Sequence, residues 1–433
     1  EVIDPLGRTI DRREYDAEGR LSAITDRAGN RIELSRDIGA RREVVTDAAG
    51  DSVVYDYDER GNIVQVTDPL GHVTAHIYDA DGNQTSTTDP LGNTTARTFD
   101  AAGNVLTETD PLGNTTTRTY DTAGNALTET DPLGRTTTFT YDSAGNRLGA
   151  TRPDGTTVAR SYNSSGELIT ETIGGATTVF SRSDAGLITQ EVDPVGRTRS
   201  LSYSAGGQLE EVVDPAGNVT SLTSDGRGQV SSITDPLGAT TLLDIGLTDE
   251  IEMVADANGA VIQTTRDTAG NPIEVRLPDG STVTNTFDLD GNLRSVTQPD
   301  GTTTSMTYDS LGNVLTETDP VGATTSYTYD AAGRRLTETG PLGATTSFTY
   351  DAAGRRLTET GPLGATTSFS YDAAGNLLAR TDPLGATTGF AYDALDRLVR
   401  TTHADGTIID RTYDALGNEA SITDASGTTV FTH

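Results

Sequence analysis

The 433-residue chain has no cysteine, no lysine and no tryptophan, and only four histidines, at 72, 76, 403 and 433. Without cysteine there is no disulfide framework and no thiolate chemistry, so stability has to come from backbone ladders and side-chain packing. Every basic residue is arginine, and 31 of them stand against 64 acidic residues for a formal net charge of −33. That balance offers no clustered positive surface for phosphates, and no nucleic-acid partner is expected. Apolar residues make up 33% of the chain, with only 8 phenylalanines, too few to fill the interior of a compact globule of this size. No apolar run approaches the roughly 18 residues of a membrane helix, so this segment is not expected to insert into a membrane.

What the chain has in abundance is repetition. Residues 329–349 read YDAAGRRLTETGPLGATTSFT, and residues 350–370 repeat them with one change, Ser370 standing where the first copy has Thr349. A fixed period of this length decides architecture before local propensity does. Steps of 21 from Tyr350 reach Tyr371, Tyr392 and Tyr413 in one direction and Tyr329, Tyr308 and Phe287 in the other, each followed by Asp. The lattice continues back to Tyr15, with departures at Asn163, Ser204 and Ile245-Gly246 and one interval shortened by a residue, placed near Ser183-Asp184. About 20 repeats result, and the expectation is one array over residues 1–433.

Each repeat carries two turn signals about ten residues apart. One is Asp-x-x-Gly after the Tyr, as at Tyr329, Asp330 and Gly333 or Tyr350, Asp351 and Gly354; the other is Asp-Pro-x-Gly, as at Asp382, Pro383 and Gly385, or its variant with Pro341 and Gly343. Asp at the first position can cap the turn amides, Pro at the second has the required φ, and Gly at the fourth tolerates positive φ, the recipe for a bulge-type hairpin. Thr-rich, aromatic stretches such as 344–349 lie between the turns and favour strands. The predicted fold is all-β: a continuous antiparallel hairpin meander of about 40 strands, curling because a flat sheet of that width is unfavourable. Phe348 and Tyr350 share a face, but Leu315, Leu336 and Leu357 lie seven residues past their Tyr where Val230, Ile251 and Leu293 lie six past. The two faces therefore cannot be assigned to inside and outside from the pattern.

The Tyr-Asp pair, the Gly three residues on, the Asp-Pro-x-Gly turn and the Thr-rich strand together resemble the YD repeat of the RHS family. The resemblance covers essentially the whole chain. It implies a spiralling β-sheet shell, as in bacterial RHS toxins, the cocoon of insecticidal toxin complexes and teneurins, and in the toxins a shell that encloses a C-terminal effector. The partners so implied are the enclosed effector polypeptide and a delivery apparatus, and the location is secreted or cell-surface. The family's plug region is not recognisable here, and the chain starts and stops inside a repeat, as a fragment of a longer protein would.

Catalytic machinery is hard to find. His72 and His76 are about 13 Å apart if they lie on a strand, too far to share a metal. There is no Cys and no G-x-S-x-G for nucleophilic catalysis, and carboxylate pairs at solvated turns lack the burial that separates two pKa values. The longest departure from the repeat, LLDIGLTDEIEMVA at 242–255, reads as drift or a bulge. Calcium remains a candidate ligand because rows of turn aspartates offer oxygens, although the nine-residue β-roll repeat is not matched; no other cofactor is expected. Two functions stay open: a non-catalytic wall around a toxic polypeptide, or an adhesive surface repeat that binds glycans or a neighbouring cell.

Overall fold

A computed structural model describes residues 2–3, 9–246 and 250–432, so residues 247–249 of the 242–255 segment lie outside it. Among the described residues there is no helix; 42 strands follow one another, and every ladder given joins strands consecutive in the chain, antiparallel. In one repeat, Thr324–Tyr329 pairs with Arg335–Thr339 across the Tyr-Asp turn, and Arg335–Thr339 pairs with Thr345–Tyr350 across the Pro341 turn. Most strands are five and six residues long in alternation, roughly 17 to 20 Å.

The missing residue is not at Ser183-Asp184, where the turn has its usual size, with Ser183 N–H bonded to the Leu187 carbonyl and Gly186 N–H to that of Ser183. It is lost ten residues earlier. There Ile173 pairs with Ala176 around a two-residue Gly174-Gly175 turn, both at positive φ (57° and 92°), in place of Asp-Pro-x-Gly. Two left-handed residues in succession are what a tight hairpin demands, and glycine supplies them without steric cost.

The two hairpin classes differ in one respect. Across the Tyr-Asp turns the register jumps by a residue beside the Tyr position, as at Tyr329 opposite Arg335 and Thr328 opposite Thr337, whereas the Pro-turn ladders after the first run without interruption, as at Thr337 opposite Ser347 and Thr339 opposite Thr345. The two residues at this bulge, Arg335 and Leu336, both face the Tyr position. Apolar side chains six or seven places past the Tyr are thus alternative occupants of one bulge, which explains the broken alternation in the sequence. Bulges bend and twist the strand that carries them, and here they recur at the Tyr-Asp hairpins, the uninterrupted ladder ending at Asp37 and Arg42 being an exception.

The tyrosines serve this bulge. Tyr329 Oη donates to the Val314 carbonyl at 2.9 Å, and Tyr120, Tyr308, Tyr392 and Tyr413 bond likewise to Val105, Leu293, Leu377 and Leu398, in each case the carbonyl 15 residues earlier. That residue sits at the bulge of the preceding repeat, so each Tyr ties its own repeat to the last. Tyr329→Phe is expected to cost about 1 kcal/mol, read from urea denaturation, with the m-value unchanged.

Two compact units divide the chain: residues 1–96 with 243–349 (unit 1), and 97–242 with 350–433 (unit 2). Neither contains an ordinary core. Among the described residues only Ala23, Val158, Gly246, Ala255, Phe348 and Thr401 are buried. In their place stand half-buried side chains on a sheet one layer thick, with Arg335 over the rings of Tyr327 and Phe348 at 5.7 and 4.9 Å.

Candidate functional site

The functional surfaces of a single-layer sheet are its two faces and its two rows of turns. The faces differ in chemistry. Thr328, Thr337, Thr339 and Thr345 share one of them and bond across strands, Thr328 to Thr337 at 2.7 Å and Thr339 to Thr345 at 2.9 Å. The same pairs recur at Thr119 with Thr128 and Thr130 with Thr136 in unit 2. The opposite face carries Tyr327, Phe348, Glu338 and Arg335, and in unit 2 cross-strand pairs such as Arg118 with Glu129 at 2.7 Å. One face is a field of hydroxyls; the other mixes aromatic rings with ion pairs.

The residues singled out in the sequence lie in the turns. Asp330 Oδ1 accepts from the Ala332 and Arg334 amides at 3.0 Å each, and its other oxygen accepts from Arg334 Nε at 2.7 Å. Asp351 repeats this with Ala353 and Arg355, and Asp382 caps Leu384 and Ala386 at 2.9 Å. Gly333, Gly343, Gly354 and Gly385 close their turns at φ 75°, 81°, 82° and 84°, and Pro341 and Pro383 occupy the second turn position. His72 Nδ1 lies 2.9 Å from Asp68 and His76 Nδ1 2.7 Å from Gln84 Nε2, so each histidine is engaged in its own local contact.

At a set of other Tyr-Asp turns, caps that include an Asn side chain hold the carboxyl below its ordinary range. At Asp58 the Asn62 side-chain amide, with backbone amides behind it, brings the pKa down to about 2; Asp79, Asp100, Asp121 and Asp142 are lowered by the same Asn contact. A carboxyl whose folded pKa lies below its unfolded value of about 3.9 adds stability above that pH and loses it as pH falls through the folded value. The chain is therefore expected to keep its β-sheet circular dichroism down to about pH 4 and to unfold between about pH 4 and 2.

Within each unit the turn rows meet. In unit 2, Arg135, at the end of a Pro-type turn, bonds Asp396 through Nη1 at 2.9 Å and Nη2 at 3.0 Å and reaches the Asp393 carbonyl at 3.3 Å, while still pairing with Asp131 of its own turn. These contacts span 258 and 261 residues of sequence. Asp396 stands where other Tyr-Asp turns have Gly, at φ 60°, and also takes a hydrogen bond from Asn376. Two further contacts follow the same line: Arg397 lies 3.8 Å from Asp154, and Gly174 meets Ala415 so closely that a Cβ would collide with its methyl. An open cleft of about 320 Å³ at this seam is lined by Glu108, Asp131, Arg135, Ala373 and Asp396, among others. In unit 1 the seam is acidic. Burial, then Asp47, Asp288 and Asp51, raise the pKa of Asp290, so falling pH relieves this contact while it weakens the caps.

Both seams have the same polarity: a Pro-type turn of the earlier stretch abuts a Tyr-Asp turn of the later one. The accessibilities agree. At the third Pro-turn position Leu70 and Leu91 of unit 1 are 46% and 40% exposed, against 87% and 98% for Val321 and Leu342; in unit 2 Leu112 and Leu133 are 41% and 44%, against 98% and 94% for Leu363 and Leu384, while the seam does not extend to Val195 and Leu237 of the same earlier stretch, 68% and 94% exposed. After the turn aspartate the order reverses, with Ala80, Ala101, Thr122 and Ser143 exposed and Ala331, Ala352, Ala373 and Ala394 half-buried. Sequence reasoning placed these turns but missed the seam; its local trace is Asp396 in a glycine position.

No curated protein sequence matches the chain. Among solved structures, the Photorhabdus luminescens Tc holotoxin pore with a TccC3 D651A mutation superposes with a TM-score of 0.69 at 17% identity, over 97% of this chain and 27% of the other. TcdB2-TccC3 crystallised without its hypervariable C-terminal region gives 0.52 at 17% identity, over 95% and 25%. The chain thus spans about a quarter of the length of these proteins, and the likeness is one of fold. The pattern described as RHS Repeat matches residues 1–31, 41–73, 78–115, 120–157, 182–219 and, in overlapping copies, 287–429. With a bulged Tyr-Asp hairpin and an uninterrupted Pro-turn hairpin alternating through a sheet of the same fold as the Tc shell, the chain belongs to the RHS repeat family.

Proposed function

We propose that this chain is a stretch of non-catalytic wall in a secreted toxin, enclosing an effector polypeptide until delivery. The observation that carries the reading is the seam within each unit: turn rows far apart in sequence pack against one another, so that stretches of a sheet one layer thick lie edge to edge. An adhesive rod has no need of such edge-to-edge contacts. A container does, because an unsealed ribbon would leave its cargo open to proteases. Both faces being polar and half-open also suits a wall that touches solvent on one side and an unfolded chain on the other, and the wall works without a cofactor.

The proteins of like fold support this by analogy, one of them having been crystallised without a hypervariable C-terminal region. Delivery by a partner apparatus belongs to the same proposal. Cryo-electron microscopy of the native particle that contains this chain tests it: poorly ordered density enclosed by sheet, identified as polypeptide by mass spectrometry, is expected. An empty, open sheet would reject the container in favour of adhesion.

A further inference from the structure

The two turn rows of the unit 2 seam interdigitate. Ala373 and Ala374 line the same cleft as Asp110, Asn114, Pro132 and Arg135, so the Tyr-Asp turn at 372–375 sits between the Pro-type turns at 110–114 and 131–135. The next Tyr-Asp turn, at 393–396, meets Arg135 on one flank through Asp396, and on the other flank Arg397 approaches Asp154 to 3.8 Å. Ala415, in the turn after that, lies against Gly174. Turns of one row thus occupy notches of the other, and any slip of the seam is by whole repeats, each two strand spacings or about 10 Å along the row.

Most of the chemistry at the seam recurs in every repeat and cannot choose among such alignments. One pair of residues does not recur. Arg135 ends its Pro-type turn where the turns on either side end in Asn114 and Thr156. Asp396 stands in the facing row between Gly375 and Gly417, the residues at its own turn position one repeat away in each direction. Its own hairpin gains nothing from the exchange. The Asp396 N–H closes the turn on the Asp393 carbonyl as a glycine N–H does elsewhere, and a φ of 60° strains an aspartate where it would not strain a glycine. What the carboxylate does is reach Arg135 across the seam and accept from Asn376 one turn away.

We propose that Arg135 and Asp396 are positioning residues that set the register of this seam, selecting one alignment of turns in notches from several. A slip one way moves Asp396 into the notch beside Asn114, next to the carboxylates of Glu108 and Asp110, and leaves Arg135 facing Gly417. A slip the other way sets Asp396 beside Thr156 and leaves Arg135 facing Gly375. Both slips part the ion pair, and the first adds like-charge repulsion, so the wrong alignments are penalised as well as the right one favoured. The register is a property of the wall whatever it encloses.

The test exchanges the two turn-ending residues in the intact protein, Asn114→Arg together with Arg135→Asn. Composition and net charge stay the same, and both residue types already pair with the capping aspartate at this position, as Asn93 and Arg197 do. Pro111→Cys, Pro153→Cys and Leu395→Cys report the alignment through a short bis-maleimide and mass spectrometry of the linked peptides, since positions 111 and 153 lie two repeats, or about 20 Å, apart along the row. With the native pair, position 395 should link to 153 roughly tenfold more than to 111. The exchange should reverse that preference, because the relocated arginine draws Asp396 one notch along. Asp396→Gly in the otherwise native chain should give both links in comparable amounts. An exchanged chain that keeps the native link, or an Asp396→Gly chain that never leaves it, overturns the proposal, since the bend of the sheet would then hold the register unaided. Should the exchanged chain not fold, the Asp396→Gly chain, which restores the usual residue of its turn, decides alone.

Discussion

A chain from which residues 350–370 have been removed is expected to fold and to unfold cooperatively, with a melting temperature within about 5 °C of the parent. Residues 329–349 carry almost the same sequence, so the deletion brings Thr349 to Tyr371 and regenerates a Tyr-Asp hairpin of the usual kind. Repeats that touch mainly their neighbours tolerate whole-unit changes in this way. The loss that remains is at the seam, where Asp396 moves one repeat out of line with Arg135. Removing residues 351–361 instead is expected to be far more damaging. Tyr350 would then run through a Pro-type loop into the Thr-rich strand that starts at Thr366, and strand direction would invert from there on. Every later Tyr-Asp turn would change edges, and none would reach the turn row of Asp131 and Asp154. Thermal denaturation should show a broad, low transition, and limited proteolysis should cut between residues 362 and 433. Equal behaviour of the two deletions would mean that the period, and not turn polarity, is all that the fold requires.

The second large effect is expected at Arg135. Its guanidinium serves two carboxylates and a main-chain carbonyl at once, with the side chain only 17% exposed. Arg135→Ala leaves Asp396 in a left-handed conformation without its ion-pair partner and is expected to cost about 1 to 3 kcal/mol. Arg135→Lys should recover little, because an ammonium cannot fill the same fork of contacts. Arg197→Ala is the control. Arg197 holds the same place in its own Pro-type turn and pairs with Asp193, but its side chain is 60% exposed and the pair is confined to one turn; its removal should leave the melting temperature unchanged within error. If the two alanine variants melt together, the seam contributes nothing to stability.

Much of this molecule could be read from residue types and spacing. The Asp-x-x-Gly and Asp-Pro-x-Gly turns, the alternation of short strands, the antiparallel pairing of neighbours and the shared face of Phe348 and Tyr350 all depend on interactions within about 20 residues, the range over which the repeat itself constrains the chain. The missing residue was misplaced by ten positions because the Ile173-to-Ala176 hairpin abandons the Pro turn altogether, and a lattice anchored on tyrosines registers a deletion only at the next anchor.

The sequence by itself determined the hairpins, their order and the chemistry of the turns, since glycine at positive φ, proline at fixed φ and aspartate within reach of two amides act locally and act alike in every repeat. Only the tertiary structure decided which turns meet. Arg135 and Asp396 are 261 residues apart, and what brings them together is a small bend at each bulge, summed over many hairpins. No single repeat encodes that sum, and a slight change of bend per hairpin would seat Arg135 opposite a different turn.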